Sequence, residues 1–168
     1  MFALDLHIHT WYSKCSPMDP RTTVAAAKLR GLSGMAITDH DSISGWKSLG
    51  RKIWRDIQII PGIEVATSKG DVLGYFVDEP IKSRGYEDVV DEILDLGGFP
   101  VIAHPFDHLR RSACHPKEPL SVPHGIEIMN ARCLVNSANR KAQAFAEKYR
   151  LPVTGGSDAH FHSEIGNG

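Results

Sequence analysis

Short apolar runs alternate with amphipathic stretches along the 168-residue chain. The runs are apolar through their middle, as expected of strands with both faces covered. The amphipathic stretches place apolar residues at helical spacing, which predicts helices. We therefore predict seven strands, at residues 2–8, 34–41, 57–65, 71–77, 99–105, 125–130 and 151–160. The predicted helices cover residues 19–32, 42–55, 86–98 and 134–150.

Strands that alternate with helices predict a parallel sheet in an α/β fold. The length fits a single domain, residues 1–168, that is large enough to bury a core. Residues 107–124 are rich in Pro, His and basic residues and have no clear period. We interpret this segment as a functional loop.

Composition narrows the classes of function. Hydrophobic residues make up 42% of the chain, charged residues 23%, and the formal net charge is −1. This balance is typical of a globular domain and disfavours binding to long nucleic acid through bulk positive charge. We expect no membrane span and no signal peptide, because no apolar run is long enough and the first residues lack a basic, then apolar, pattern. Three widely spaced cysteines form no disulfide framework, so we expect a cytoplasmic protein.

Side chains that can bind metals stand at the ends of the predicted strands. They are His7, His9, Asp39, His40, Asp41, Glu64, Asp71, His104, Glu127, Asn130, Asp158 and His160. In parallel α/β folds the carboxyl ends of the strands converge on the active site. Alternate residues of a strand share a side, so His7 and His9 should face one point. Burying so many ionisable groups is costly without a cation, and the residue types suit zinc, manganese or iron.

Five motifs in order span nearly the whole chain: DLHIHT, AITDHD, PGIEV, VIAHP and GGSDAH. Together they resemble the PHP (polymerase and histidinol phosphatase) family. The resemblance implies a distorted, TIM-like (β/α)7 barrel of parallel strands, with the active site at their C-terminal ends. It also implies a metal-dependent phosphoesterase with two or three divalent ions. Members of this family generally continue with another strand and helix, so we expect a truncated C-terminus and leave the oligomeric state open.

The resemblance further implies which residues bind metal. The residues that match ligands of a first metal are His7, His9, Glu64 and Asp158. Glu64 would bridge to a second metal that is held by His104. Asp71 stands where the family often has a histidine, and it is either an oxygen ligand or a solvated turn residue. The matches for a third metal are His40 and His160.

The remaining ligand of the third metal falls at about Lys14, where this chain departs from the family pattern. A protonated lysine cannot bind a metal, since its ordinary pKa is about 10.4. Three interpretations stay open. Cys15 is a thiolate ligand that favours zinc; the Lys14 ammonium replaces the positive charge of the third metal; or Lys14 is exposed, Cys15 is buried, and neither has a role.

The implied reaction is attack of a metal-bridging hydroxide on a phosphoester. The residues that we expect to take part in catalysis are His40, His160 and Asp158, with either histidine protonating the leaving oxygen if the third metal is absent. The expected substrate is a small phosphorylated molecule. The candidates for binding it are Arg132, Arg110, Arg111, Lys14 and Asn130, because arginine gives bidentate contacts to phosphate.

Three other functions compete with this one. A metal-binding regulatory module with little activity would need the same ligands. A nuclease or nucleotide phosphatase of the same family would act on a nucleotide or a nucleic-acid end. An amidohydrolase with a His-x-His barrel would use a bridging lysine, and here Glu64 occupies the bridging position.

Overall fold

The computed structural model describes residues 2–50, 53–117 and 124–168. The strands are β1 (Leu4–Asp5), β2 (Gly34–Ile37), β3 (Gln58–Thr67), β4 (Gly70–Tyr75), β5 (Phe99–Ile102), β6 (Gly125–Asn130) and β7 (Val153–Gly156). The helices are α1 (Pro20–Leu29), α2 (Ser44–Lys47), α3 (Ile53–Asp56), α4 (Tyr86–Asp95) and α5 (Ser137–Tyr149). Residues 118–123 of the predicted loop lie outside the described residues, and residues 107–117 form neither helix nor strand.

The strands pair in chain order from β1 to β7 in one sheet. The two outer strands then approach each other: the amide of His9 donates to the carbonyl of Ala159 at 2.9 Å, and the amide of Leu6 to that of Gly155 at 3.3 Å. The sheet is therefore a nearly closed seven-stranded barrel with helices outside. This architecture confirms the predicted fold class.

One strand departs from the predicted parallel order. β4 is antiparallel to both β3 and β5, whereas the other neighbouring pairs in the sheet are parallel. Only residues 68 and 69 connect β3 to β4, and a connection this short permits a hairpin but no parallel crossover. Gly70 sits at the turn with φ of 125°, which glycine adopts readily. Because β4 is reversed, Asp71 near its start lies at the same edge as the carboxyl ends of the parallel strands.

The single helix predicted at residues 42–55 is wrong, because the structure does not form one continuous helix there. The structure forms two four-residue helices, α2 and α3, while residues 51 and 52 lie outside the described part. Trp46 and Leu49 are nevertheless buried in the core, so the apolar spacing identified the packed side chains correctly. α1 begins as predicted: the Asp19 carboxylate caps it by accepting from the amides of Arg21 and Thr22 at 2.7 and 3.2 Å.

Apolar side chains from the strands fill one end of the barrel. They come from β1 to β5 and the residues that follow them, and include Leu6, Ala36, Ile60, Leu73, Tyr75 and Val101. The Tyr75 hydroxyl donates to the carbonyl of Leu6 at 3.0 Å and so satisfies its own polar atom. This apolar packing fills the end of the barrel opposite the edge that carries the polar side chains. No helix in the described part of the chain is long and apolar enough to cross a membrane.

Candidate metal centre

Potential metal ligands converge at the carboxyl edge of the barrel. Within the described residues, three groups have ligand atoms that all lie within 4.8 Å of one another. The first group is His7, His9 and Asp158; the second is Glu64, Asp71 and His104; the third is His9, Cys15, His40 and His160. The convergence that the strand-end pattern predicts is therefore present.

Glu64 lies between the groups, and its two oxygens face different histidines. Oε1 is 3.0 Å from Nε2 of His104 and 3.5 Å from Nε2 of His7. Oε2 is 3.3 Å from Nε2 of His9 and 3.1 Å from Nδ1 of His40. A carboxylate whose oxygens point to separate donor sets has the geometry of a bridging ligand.

Asp158 also divides its oxygens, between the histidines and a second set of partners. Oδ1 is 3.2 Å from Nε2 of His9 and 3.6 Å from Nε2 of His7. Oδ2 accepts from the guanidinium of Arg110 at 2.5 Å and from the amide of Asn130 at 3.3 Å. The φ of Asp158 is 55°, a conformation that non-glycine residues rarely adopt. The surrounding contacts hold one oxygen towards the histidines despite this cost.

Glu127 lies behind His7 and fixes its orientation. Its Oε1 is 3.0 Å from Nδ1 of His7, while Oε2 accepts from the amide of His104 at 2.7 Å and from Asn130 at 3.0 Å. With Nδ1 donating to this carboxylate, Nε2 of His7 is the nitrogen that faces Glu64 and Asp158, and on deprotonation it would offer its lone pair to a metal ion there. Carboxylates commonly orient metal-binding histidines in this way. Glu127 is 1% exposed, so it positions His7 and does not line a pocket.

A hydroxyl relay holds His9. Its Nδ1 is 3.2 Å from the Ser13 hydroxyl, which donates to Asp39 at 2.7 Å. Asp39 also accepts from the amide and hydroxyl of Thr10, at 2.6 and 2.7 Å. Ser13 and Thr10 were missed by sequence reasoning, because a hydroxyl residue after a strand carries no signal of its partner. Asp39 therefore orients His9 through the Ser13 hydroxyl, in the way that hydrogen-bond partners commonly orient metal-binding histidines.

Asp71 and His104 form the oxygen-rich side of the site. Asp71 Oδ2 is 3.6 Å from Nε2 of His104, and both side chains are buried. Burial, and then the charge of Glu64, raise the pKa of Asp71. Two buried carboxylates beside an imidazole are a donor set that a divalent cation would stabilise, so these residues fit a metal ion. Of the two interpretations of Asp71, the solvated turn residue is wrong.

The charges of the centre reinforce one another. Burial lowers the pKa of His7, but the carboxylates of Asp158, Glu127 and Glu64 outweigh it and raise the pKa well above its ordinary value. Burial would raise the pKa of Glu64, yet His7, His104 and His9 hold it well below its usual range. In the metal-free protein, the positive charge of His7 thus stabilises the ionised carboxylates around it.

The third group lies nearer the solvent than the other two. The side chain of His40 is 40% exposed and that of His160 13%. Burial and the neighbouring His9 lower the pKa of His160 to about 4, so the imidazole is neutral at pH 7. A neutral imidazole is the form that binds a metal, whereas protonation of a leaving group needs the charged form. Cys15 is exposed at the surface, although partial burial of its thiol raises the thiol pKa.

The neighbouring Lys14 is exposed, and its side chain makes no hydrogen bond or ion pair within the described part of the chain. The ionic partner of the Asp41 carboxylate is Arg84 at 3.5 Å, and within the described residues it makes no hydrogen bond or ion pair with an imidazole. Asp41 does not cap α2 either, because the N-cap of this helix is Ile43 and no side chain caps it.

A cavity of about 540 Å³ opens beside His160. Arg110 and Arg132 line it, together with apolar side chains such as Leu109 and Leu134. The Asp107 carboxylate accepts from Nε of Arg110 at 3.1 Å, and the Glu164 carboxylate accepts from Nη1 of Arg132 at 3.0 Å. Both guanidinium groups are thus fixed in place while keeping further N–H donors.

The other predicted substrate contacts lie elsewhere. Arg111 is exposed and does not line the cavity. Asn130 is 1% exposed and donates to the carboxylates of both Glu127 and Asp158. The structure therefore places Asn130 beneath the ligands, as a bridge between two carboxylates.

Known protein families, relatives and solved structures match this chain over most of its length. A family model described as PHP domain matches residues 5–144, and another described as PHP-associated matches residues 136–168. An uncharacterized protein of Methanocaldococcus jannaschii is 32% identical over 171 residues, which cover 98% of this chain and 68% of that protein. A probable phosphatase of Edwardsiella ictaluri is 25% identical over 209 residues, covering 99% and 82%. The crystal structure of a proposed metal-dependent phosphoesterase from Bifidobacterium adolescentis has a TM-score of 0.82 at 19% identity, covering 99% and 90%, and shows the shared fold.

Proposed function

Because the chain belongs to the PHP domain family, we propose that it is a metal-dependent hydrolase of a small phosphorylated molecule. The observation that carries the proposal is Glu64, whose two oxygens face separate sets of buried ligands beside an arginine-lined cavity. The size of the cavity is typical of sites for small molecules.

Two sets of residues would hold the metal ions. His7, His9 and Asp158 form one set, Asp71 and His104 the other, and Glu64 belongs to both. Bound divalent ions would act as Lewis acids towards the phosphoryl oxygens and would lower the pKa of water to about 7. Glu127 and Ser13 bind the Nδ1 atoms of His7 and His9, so the Nε2 atoms of both histidines would be left for the ions.

The arginines would hold the substrate. Arg110 uses one nitrogen on Asp107 and another on Asp158, which leaves further N–H groups for a phosphate oxygen. Arg132 is tied to Glu164 in a similar way. Because these side chains are held before the substrate arrives, little rotamer freedom is lost on binding, and the phosphate is directed towards His160 and the ligands.

The test is phosphate release by protein that has been stripped with a chelator and reloaded with zinc, manganese or iron. The substrates are p-nitrophenyl phosphate, a panel of small phosphate esters, nucleoside monophosphates and a short oligonucleotide, so that the nuclease alternative is tested alongside. With saturating metal, Arg110→Met should raise KM by about tenfold or more, since a charged hydrogen bond contributes about 1.5–3 kcal/mol. Arg140→Met, an exposed arginine on α5, is the matched control and should leave KM unchanged.

Two results would count against the proposal. If folded, metal-loaded protein released no phosphate from any substrate, the metal-binding regulatory module would be the better interpretation. If Arg110→Met and Arg140→Met had the same KM as the unchanged protein, the cavity would not be the phosphate site.

A further inference from the structure

The third ligand group contains the sulfur of Cys15, a donor unlike any in the other two groups. Its Sγ and one ring nitrogen each of His9, His40 and His160 all lie within 4.8 Å of one another. Cys15 is also the one cysteine of the three in the chain that is exposed, since Cys114 and Cys133 are buried. The sulfur therefore belongs to a cluster of imidazoles and is within reach of an incoming ion.

The hydrogen bonds of the histidines show which nitrogens remain for a metal. His9 is committed elsewhere, with Nδ1 on Ser13 and Nε2 towards Glu64 and Asp158. His40 directs Nδ1 at Glu64 at 3.1 Å, which leaves Nε2. His160 directs Nδ1 at the carbonyl of Asp158 at 2.9 Å, which also leaves Nε2.

We propose that Cys15 binds a metal ion as a thiolate together with His40 and His160, in a site that selects zinc. Three protein ligands with an open fourth position are typical of catalytic zinc sites. His160 also lines the arginine cavity, so an ion held by these residues would lie beside the place where the substrate would bind. The inference rests on the metal centre of the proposed function and not on its reaction.

Selectivity follows from the donor atoms. Thiolate and imidazole favour zinc, whereas the two carboxylates and one imidazole of Glu64, Asp71 and His104 suit manganese or iron. Protein exposed to both zinc and manganese should therefore carry zinc at Cys15. Exchange of zinc for manganese should occur more readily at the oxygen-rich group.

The experiment counts metals by mass spectrometry and follows the thiol. Protein with Cys15→Ser should hold one zinc fewer than the unchanged protein, and its cobalt form should lose the thiolate-to-cobalt charge-transfer absorption. Cys15→Asp should recover the ion without that absorption. Lys14→Met is the control at the adjacent exposed position and should keep both the zinc count and the absorption.

Thiol modification gives a second readout that needs no variant. In metal-free protein, the aromatic disulfide DTNB should modify one thiol quickly, and zinc should protect it whereas manganese should not. Equal zinc counts in Cys15→Ser and the unchanged protein, or a thiol that zinc leaves reactive, would overturn the inference. A zinc-protected thiol in protein without phosphoesterase activity would refute the proposed function alone, and circular dichroism melting identifies any variant that fails to fold.

Discussion

Replacing Glu127 by Gln tests whether the tautomer of His7 controls metal binding. The substitution keeps the shape of the side chain but gives it one acceptor oxygen and one donor amide. If the oxygen takes the place of Oε2, it still accepts from the amide of His104 and from Asn130. The amide then faces Nδ1 of His7, which must become the acceptor, and the proton moves to Nε2. Nε2 is the atom that faces Glu64 and Asp158, so its lone pair is lost to the metal.

The opposite orientation of the glutamine is no better. Its amide would then meet the buried amide of His104, donor to donor, at a cost of about 1–3 kcal/mol. Loss of a carboxylate behind a ligand typically lowers metal affinity 10- to 100-fold. We therefore expect a loss of about 1.4–2.8 kcal/mol in zinc binding at the first group.

The assay is competition for zinc with a chromophoric chelator, beside thermal melting of the metal-free protein. The matched control is Glu92→Gln, the same substitution at a half-buried carboxylate that accepts from the backbone amides of Lys82 and Ser83 at 3.0 and 2.9 Å and bonds to none of the candidate metal ligands in the described part of the chain. Both variants should melt earlier, but only Glu127→Gln should bind zinc more weakly. Unchanged zinc affinity in Glu127→Gln would show that Glu127 does not set the tautomer of His7.

Two further predictions concern stability. Gly156→Ala should lower the free energy of unfolding in urea by about 1–3 kcal/mol, because the new Cβ would lie 2.5 Å from Cβ of His7 and 2.6 Å from its amide nitrogen. The control is Gly50→Ala, whose new Cβ would meet no atom within 4 Å and should change the stability little. Equal losses of stability in the two variants would contradict the reasoning. The raised pKa of His7 stabilises the metal-free protein fully below its ordinary pKa of about 6.5, so the melting temperature should fall as the pH rises through the raised pKa. Zinc should remove this decline by binding deprotonated imidazole, and a metal-free protein whose stability rose over the same pH range would refute this assignment.

The sequence was most informative where local geometry decides the outcome. Alternation along a strand placed His7 and His9 on one side, and their Nε2 atoms lie 3.2 Å apart. The direction of β4 was predicted wrongly, because an apolar run has no direction in its pattern. The short connection between the two predicted strands was a usable signal, since a parallel crossover needs a dozen or more residues.

The supporting residues could not be predicted in the same way. Glu127 stands on β6, but its partners come from the residues that follow β1 and β5 as well as from β6 itself. Arg110 was assigned to phosphate without its bond to Asp158, 48 positions further along the chain. Such contacts follow from the closure of the barrel, and sequence spacing does not encode them.

The hydrogen bonds that join β1 to β7 and the residues after them close the barrel, and we call these contacts the seam. The seam determines at which stage of folding the metal centre can form. Ser157 donates to Asp5 across 152 positions, and the same seam brings Asp158 to His7 and His9. Contacts so distant in sequence form late, because the loop between them must first be ordered. During synthesis the two histidines leave the ribosome long before their carboxylate partner. An ion that requires both can therefore act only on an almost finished barrel, where it retards reopening of the seam and does not initiate collapse.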